Sequence, residues 1–575
     1  MGKVDQEINI PPKRRNEMKS ELEKFLSARN FLQSRREDYE SAYYGFKWPP
    51  LEDFNWAIDY FDTYAEGNDN TALWIVDDKG SQWKYSFAEL SETSSRIANF
   101  FRRLGVSRGS RILLMLDNQP ELWEVMLASI KLGTVMIPSS LLLTRKDIQD
   151  RLRRGRVKLV VSVPENADKF EGLEGDFVKV MVGGKREGWI AYEEGYDSLV
   201  SYKAEVQTKV TDSLFLYFTS GTTAQPKMVL HTNGSYPVGH LSTMYWIGMK
   251  EGDLHLNISS PGWAKHAWSS FFAPWNAGAG IFVYKYSRFV PKALLEVLRN
   301  YKVNTLCAPP TVWRMLILED IKPKPDALRE LVSAGEPLNP EVITKVKSDW
   351  GITIRDGYGQ TESTLQVGNM PGSLVKFGAM GRPAPGYRIE LLDSGGKESD
   401  EGEVVIKLDP RPVGLMINYA DDVARTRTVM SGGYYRTGDV ATRDQEGYFW
   451  FVGRADDVFK SSDYRISPFE IESALIESPA VAEAAVIPSP DPIRGYVPKA
   501  YVILAPGFEP TNTTAREILG FIRDKVAPFK RVRKLEFVTD LPKTISGKIR
   551  RVQLRSQESG KEIRGEFEFF EDELK

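Results

Sequence analysis

Apolar side chains recur along this chain with two different periods, and the switches between them mark its elements. Residues 14–40 alternate charged positions with Leu22, Phe25, Leu26, Phe31 and Leu32, the pattern of an amphipathic leader helix on a body that begins near Trp48. Ser86-Phe-Ala-Glu89 has the spacing of a capping box; Leu90, Ile97, Phe101 and Leu104 then share one helix face, closed by Gly105. Ile112 to Leu116 reads as a buried strand, Pro120 to Leu132 as a helix with Gly133 behind it, and Val135 to Pro138 as another strand. The rhythm returns at Leu214 to Phe218, Leu254 to Ile258, Ile281 to Tyr284, Thr305 to Ala308 and Leu331 to Ser333. Strands alternating with helix-length segments predict parallel sheets covered by helices.

From about Gly386 the period shortens. Arg388 to Leu392 and Glu403 to Leu408, set off by Gly and Asp turns, predict a small β subdomain over 386–453. After the charged joint Gly453-Arg-Ala-Asp-Asp457, a compact α+β unit runs to about Arg555. The expected fold class is α/β. Its parts are a leader helix and extension over 1–47, a large N-terminal domain of two helix-covered sheets over 48–453, a hinge over 454–457, and a small C-terminal domain over 458–555. Residues 556–575 hold seven acidic side chains against three basic ones and read as a mobile acidic tail.

Composition narrows the function classes. A chain of 575 residues exceeds one core, which stops growing at roughly 250–300 residues. Hydrophobic residues at 42% and charged residues at 27% describe a globular protein and exclude a disordered one. Lys and Arg number 76 against 78 Asp and Glu, a formal charge of -2, so no global basic field holds the protein on nucleic acid or anionic lipid. The single cysteine, Cys307, cannot form an internal disulfide, and four scattered histidines offer no metal-ligand spacing. No apolar run of about 18 residues occurs, and residues 1–19 mix Lys and Arg with Asp5 and Glu7, unlike a secretory or transit segment. The expected compartment is the cytoplasm.

The stretch Leu216-Tyr-Phe-Thr-Ser-Gly-Thr-Thr-Ala-Gln-Pro-Lys227 concentrates the chemistry. An apolar strand feeds a turn with hydroxyls at Thr219, Ser220, Thr222 and Thr223, one glycine at Gly221, and Lys227 just beyond a proline. Hydroxyls and backbone N–H groups in such a loop can wrap phosphate oxygens. It lacks the second glycine that a Walker loop places before its lysine. The whole pattern resembles the phosphate loop of the adenylate-forming superfamily, which contains acyl-CoA synthetases, luciferases and peptide-synthetase adenylation domains. Five further segments resemble that superfamily's landmarks in the same order: Ser333-Ala-Gly-Glu-Pro337, Asp356-Gly-Tyr-Gly-Gln-Thr-Glu362, Tyr435-Arg-Thr-Gly-Asp439, Gly453-Arg-Ala-Asp-Asp457 and Leu541-Pro-Lys-Thr-Ile-Ser-Gly-Lys548.

The resemblance implies the roles. Gly335, Glu336 and Pro337 stack against adenine; Asp356, Gly357, Tyr358 and Gln360 hold adenine and substrate; Asp439 and Arg454 take the ribose. Glu362 carries Mg²⁺ on the ATP phosphates, suited to a hard cation that prefers carboxylate oxygen. Thr361 reaches the α-phosphate, and Lys548 meets the charge that develops there. The carboxylate of an acid attacks the α-phosphate of ATP, giving an acyl-adenylate and pyrophosphate; the thiol of coenzyme A then takes the acyl group and releases AMP. No protein nucleophile is needed, so Cys307 is expected in the core or a pocket wall. Between half-reactions the C-terminal domain is expected to rotate about Asp456.

Ser462, Asp463 and Arg465, with Arg494, Lys525 and Lys530, resemble the coenzyme A surface of medium-chain acyl-CoA synthetases, although Asp463 stands where those enzymes carry glycine. Acetyl-CoA synthetases resembling this chain have two tryptophans where it has Tyr358-Gly359, which predicts a longer acid in a pocket lined by Trp263, Gly335, Tyr358 and Gly359. A medium-chain, branched or aryl acid fits that expectation. Two alternatives stand beside it: an adenylating enzyme that passes its acyl group to a carrier protein or an amine, and a catalytically silent nucleotide-binding protein. Neither Gly-x-Ser-x-Gly nor His-Glu-x-x-His occurs, so hydrolase readings have no support.

Overall fold

The computed structural model describes residues 12–219, 225–461, 464–492, 494–543, 549–561 and 563–574. The chain forms two compact units. The first contains the described residues up to Thr219 with Gln225–Arg388 and Lys407–Gly433; the second contains Ile389–Ile406 and the described residues from Tyr434 onward.

In the first unit the leader forms helix α1 (Pro12–Ser34). Phe25 and Leu32 are fully buried, and the side chains of Arg29 and Gln33 both donate to the Ala277 carbonyl. Helix α2 (Phe87–Arg103) starts at the expected capping box, Ser86 Oγ accepting from the Glu89 N–H while the Glu89 carboxylate accepts from the Ser86 N–H. The helix Pro120–Leu132 ends at Gly133 in the left-handed region, φ 69°, as its sequence predicts.

Two sheets form the body. An eight-stranded sheet contains β1 (Ser213–Thr219) antiparallel to β2 (Lys227–Thr232). A nine-stranded sheet contains β3 (Leu254–Asn257), β4 (Thr305–Ala308), β5 (Glu330–Ala334) and β6 (Ile354–Gly359). In spatial order β6-β5-β4-β3 all pairs are parallel, so the carboxyl ends of four strands share one edge. Such an edge is where open α/β sheets bind ligands. β4 is buried along its whole length, which requires the continuous apolar run found there. Helices seal one face with Leu294, Leu298, Trp313 and Ile343.

The segment expected as one β subdomain over 386–453 is shared between the units. Its middle part sends strand β7 (Asn418–Tyr419) onto β2, pairing Tyr419 with Val229, and this ties 407–433 to the first unit.

In the second unit β8 (Tyr434–Arg443) pairs antiparallel with β9 (Phe449–Arg454). Further on, β10 (Val481–Asp491), β11 (Gly495–Leu504), β12 (Lys534–Phe537) and β13 (Glu568–Phe570) form a four-stranded sheet in that order. Ile471, Leu475, Ile518, Leu519 and Ile522 from two helices pack on it.

Here the expectation of a mobile tail over 556–575 is corrected. β13 lies within that segment, pairs with β12, and buries Glu568 and Glu571. The cause is Lys499 at the centre of β11, fully buried, whose ammonium meets Glu558 at 2.6 Å, Glu568 at 2.6 Å and Glu536 at 2.8 Å. Two of the tail's acidic side chains, Glu558 and Glu568, are thus counter-charges of a buried lysine. Among the described residues no helix is long and apolar enough to cross a membrane.

Candidate active site

The two ends of the expected phosphate loop are held together by the β1–β2 hairpin, in which Thr219 pairs with Lys227. Ser220, Gly221, Thr222 and Thr223 lie outside the described residues, as do Ser462, Asp463 and Lys548. Beside this hairpin the chain assembles a cluster from three remote segments. The Tyr419 hydroxyl donates to Glu362 Oε1 at 2.8 Å, and the Lys227 ammonium lies 5.4 Å from the centre of the Tyr419 ring. Lys227, Tyr419 and Glu362 thus stand together, the cation near the ring of one phenol and the carboxylate at its hydroxyl. Tyr419 escaped the sequence reading because it lies 57 positions beyond Glu362 and carries no local motif.

Thr361 is fixed through its backbone. The buried ring of His231, four residues beyond Lys227 on β2, donates from Nε2 to the Thr361 carbonyl at 2.7 Å, while Nδ1 meets Ser235 Oγ at 3.0 Å. A carbonyl only accepts, so Nε2 carries the proton and Nδ1 accepts from Ser235. Burial pushes the His231 pKa down to about 4, and the ring stays neutral. The sequence reading missed His231 as well.

β5 and β6 bring the next expected group together: Ser333 pairs with Asp356 and Ala334 with Gly357. Asp356 is buried and accepts from the Leu338 N–H at 3.2 Å and the Gly357 N–H at 2.9 Å. Burial nevertheless dominates and pushes its pKa up to about 8, so the carboxyl holds a proton at neutral pH. Gly335 follows directly with φ 113°, a conformation open to glycine and strained for a side chain. Glu336 lies 3.7 Å from Arg314, Pro337 is partly exposed, and Gln360 turns back on Ser363 through its N–H. A Cβ on Gly357 would stand 2.4 Å from the Trp246 ring.

The pocket residues need one correction. A Cβ on Gly359 would stand 2.6 Å from the Thr364 carbonyl oxygen, and Gly359 is exposed. Glycine is there because backbone approaches backbone, so the missing indole does not by itself leave a cavity for acyl carbons. Tyr358 is half-buried opposite Val367, and Trp263 is half-buried at the start of helix α3 (Ala264–Ala267). Cys307 is fully buried in β4, as expected.

In the second unit Asp439 and Arg454 face each other across β8 and β9, with Arg454 donating to the Asp439 carboxylate at 3.0 Å. Asp456 lies 3.6 Å from the same guanidinium. Arg465 pairs through its backbone with Lys460. Lys525 is paired with Glu477 at 2.8 Å and Lys530 with Glu470 at 2.6 Å, while the Arg494 N–H donates to Asp491. The basic run is therefore laced with carboxylates, and any anion has to compete with them.

The chain resembles known proteins over most of its length. Residues 61–416 match the model for AMP-binding enzymes and residues 470–548 the model for the AMP-binding enzyme C-terminal domain. The chain is 44% identical to 4-hydroxybutyrate–CoA ligase 1 of Metallosphaera sedula, covering 90% of this chain and 93% of that protein. It is 40% identical to the mitochondrial acyl-coenzyme A synthetase ACSM3 of Rattus norvegicus, covering 91% and 93%. Among solved structures, an anthranilate CoA ligase in complex with anthranoyl-AMP matches with a TM-score of 0.80 at 28% identity, over 89% of this chain and 98% of that one. A benzoate CoA ligase from Burkholderia xenovorans matches with a TM-score of 0.74 at 29% identity, over 87% and 100%. The chain belongs to the AMP-binding enzyme family, and it is an AMP-forming acid–thiol ligase.

Proposed function

We propose that this ligase activates a medium-chain, branched or aryl carboxylic acid with ATP and passes the acyl group to coenzyme A, and that fatty acid activation in the cytoplasm is its setting. The observation that supports the reading most directly is the convergence of Lys227, Tyr419 and Glu362 at the base of the Thr219–Lys227 hairpin. A triphosphate needs cationic and hydroxyl donors on one side and, through a divalent cation, a carboxylate on the other.

Glu362 fits Mg²⁺: it is partly exposed, and its Oε1 is steered by one neutral donor while no ammonium or guanidinium neutralises it among the described residues. Mg²⁺ bound there supplies Lewis-acid polarisation of the phosphate oxygens. The chain's own residues do the rest. Lys227 and the loop hydroxyls hold the phosphates, Thr361 orients the α-phosphate, and Gly335 to Pro337 with Asp356 to Gln360 hold the base. The ribose takes Asp439 in place of part of the Arg454 contact. Lys548 stabilises the charge as the acid oxygen attacks phosphorus and pyrophosphate departs. Residues 458–555 then bring Ser462 to Arg465, Arg494, Lys525 and Lys530 to coenzyme A by turning at Asp456.

The test is acid-dependent ATP–pyrophosphate exchange over a panel of carboxylic acids, followed by thioester detection with coenzyme A. Lys548→Ala is expected to abolish exchange while thioester formation from preformed acyl-adenylate persists. Equal loss in both half-reactions, with the fold intact, overturns the role given to Lys548; exchange without thioester overturns coenzyme A as the acceptor.

A further inference from the structure

Asp456, the residue given the role of pivot, is exposed and stands between two fixed flanks of the second unit. Before it, the Ala455 N–H donates to the Gly438 carbonyl at 2.8 Å and the Arg454 guanidinium holds Asp439, so the chain is tied to β8 up to the last position. Beyond it, helices α4 (Pro468–Ile476) and α5 (Arg551–Ser559) hold the other flank. The Asp457 carboxylate meets Arg555 of α5 and lies 3.6 Å from Arg551, which donates from Nε at 2.9 Å to Glu472, a buried carboxylate of α4. One exposed residue between two such clamps confines a turn of the chain to itself.

Other contacts of the same unit bridge the pivot. Ser467 Oγ donates to the Val452 carbonyl of β9 while accepting from the Glu470 N–H at 3.2 Å, so one hydroxyl caps α4 and ties that helix to a strand upstream of Asp456. Two residues on, the Phe469 ring meets the Phe451 ring of β9 edge-on, with centroids 5.8 Å apart. Both rings are only partly buried, so their contact can open without exposing a core. A turn at Asp456 carries Ser467 and Phe469 away from β9. It leaves the clamp whole, because Asp457, Glu472, Arg551 and Arg555 all lie beyond the pivot and move together. The contacts around the hinge thus sort into a set that rides with the C-terminal domain and a set that rotation must break.

We propose that Ser467 and Phe469, seated on Val452 and Phe451, are a latch that holds one of the two domain poses and so sets the balance between adenylate formation and thioester formation. The inference rests on the reading of Asp456 as the hinge and names the residues that bias it. A contact present in one pose and absent from the other shifts their equilibrium by its whole free energy, whichever pose prevails. The ratio of the two half-reaction rates follows the ratio of the two populations, so it reads that shift directly. A neutral hydrogen bond and an edge-on aromatic pair are each of the size that moves such a ratio about 2- to 12-fold.

The experiment measures the half-reactions separately in the full-length chain: ATP–pyrophosphate exchange with the acid that supports it best, and thioester formation from the preformed adenylate of that acid with coenzyme A. Ser467→Asp keeps the cap acceptor for the Glu470 N–H, but its carboxylate cannot donate to the Val452 carbonyl. Phe451→Leu and Phe469→Leu remove the ring contact from either side of the pivot. Each of the three is expected to change the ratio of the two rates by about 2- to 12-fold in the same sense, one half-reaction gaining on the other. The double leucine variant should go no further than the larger single change, since both remove one contact. A merely structural role would slow both half-reactions together and leave their ratio alone. A ratio unmoved in all three variants, or moved in opposite senses by Ser467→Asp and Phe469→Leu, overturns the latch. Asp456→Pro fixes φ at the pivot and tests the hinge beneath it: both half-reactions at wild-type rates in that variant sink the hinge reading itself.

Discussion

His231 offers the sharpest perturbation of the active site because each of its nitrogens has one partner and a different amide substitution spares each. Asparagine places its amide near the Nδ1 position and loses the Nε2 donor; glutamine keeps a donor near Nε2 and loses contact with Ser235. The lost bond is the 2.7 Å donation to the Thr361 carbonyl, next to Glu362. A neutral hydrogen bond nets about 0.5–1.5 kcal/mol, and an acceptor left buried without a partner costs about 1–3 kcal/mol. His231→Asn should therefore lose roughly 1–3 kcal/mol of positioning, or about 5- to 150-fold, with the glutamine variant recovering most of it. The assay is the rate of ATP–pyrophosphate exchange at saturating acid, with KM for MgATP measured alongside and thermal melting as a control for the fold. If the two variants fall equally in rate, or if the loss tracks melting temperature alone, the Thr361 contact is not what His231 contributes. The pH profile gives a separate check. The pKa of His231 is lowered in the folded state, so the unfolded chain binds the extra proton between about 6.5 and 4, and stability falls as pH drops through that window. His231→Gln should flatten that part of the stability curve.

Asp356 works with the opposite sign. Its pKa is raised to about 8, so the folded protein binds the extra proton, and stability should decline as pH rises from about 4 to 8; Asp356→Asn should remove that slope in denaturant titrations. Tyr419→Phe removes the hydroxyl that steers Glu362, a bond to a charged acceptor worth about 1.5–3 kcal/mol, and should raise the Mg²⁺ concentration needed for half-maximal exchange about tenfold or more; an unchanged Mg²⁺ dependence refutes the steering. Gly359→Ala drives a Cβ against the Thr364 carbonyl and should depress exchange with short and long acids alike, whereas a selective gain for short acids would restore the idea of an open pocket behind this glycine. Removing residues 563–575 strips Glu568 from the buried Lys499 and should destabilise the second unit by about 3–5 kcal/mol in chemical unfolding; an unmoved midpoint would return the tail to a loose appendage.

What could be read from the sequence and what could not divide along a physical line. The capping box at Ser86, the left-handed Gly133 and the buried run of β4 are each decided within a turn or a strand, and their residues say so locally. The ordered motifs belong to the same class, because each is a loop or strand end whose neighbours in sequence are its neighbours in space. The site's supporting residues are of another kind. Tyr419 reaches Glu362, His231 reaches Thr361 and Lys265 reaches Ala334 only after sheets have formed, and nothing in the flanking residues of Tyr419 or Lys265 announces the partner. The tail and Gly359 fail for a related reason. Seven acidic residues look like a solvated segment until the fully buried lysine on β11 meets two of them, Glu558 and Glu568, and a glycine looks like room for substrate until the Thr364 carbonyl occupies the space. In both cases an inference from what a residue lacks was overruled by what stands across from it.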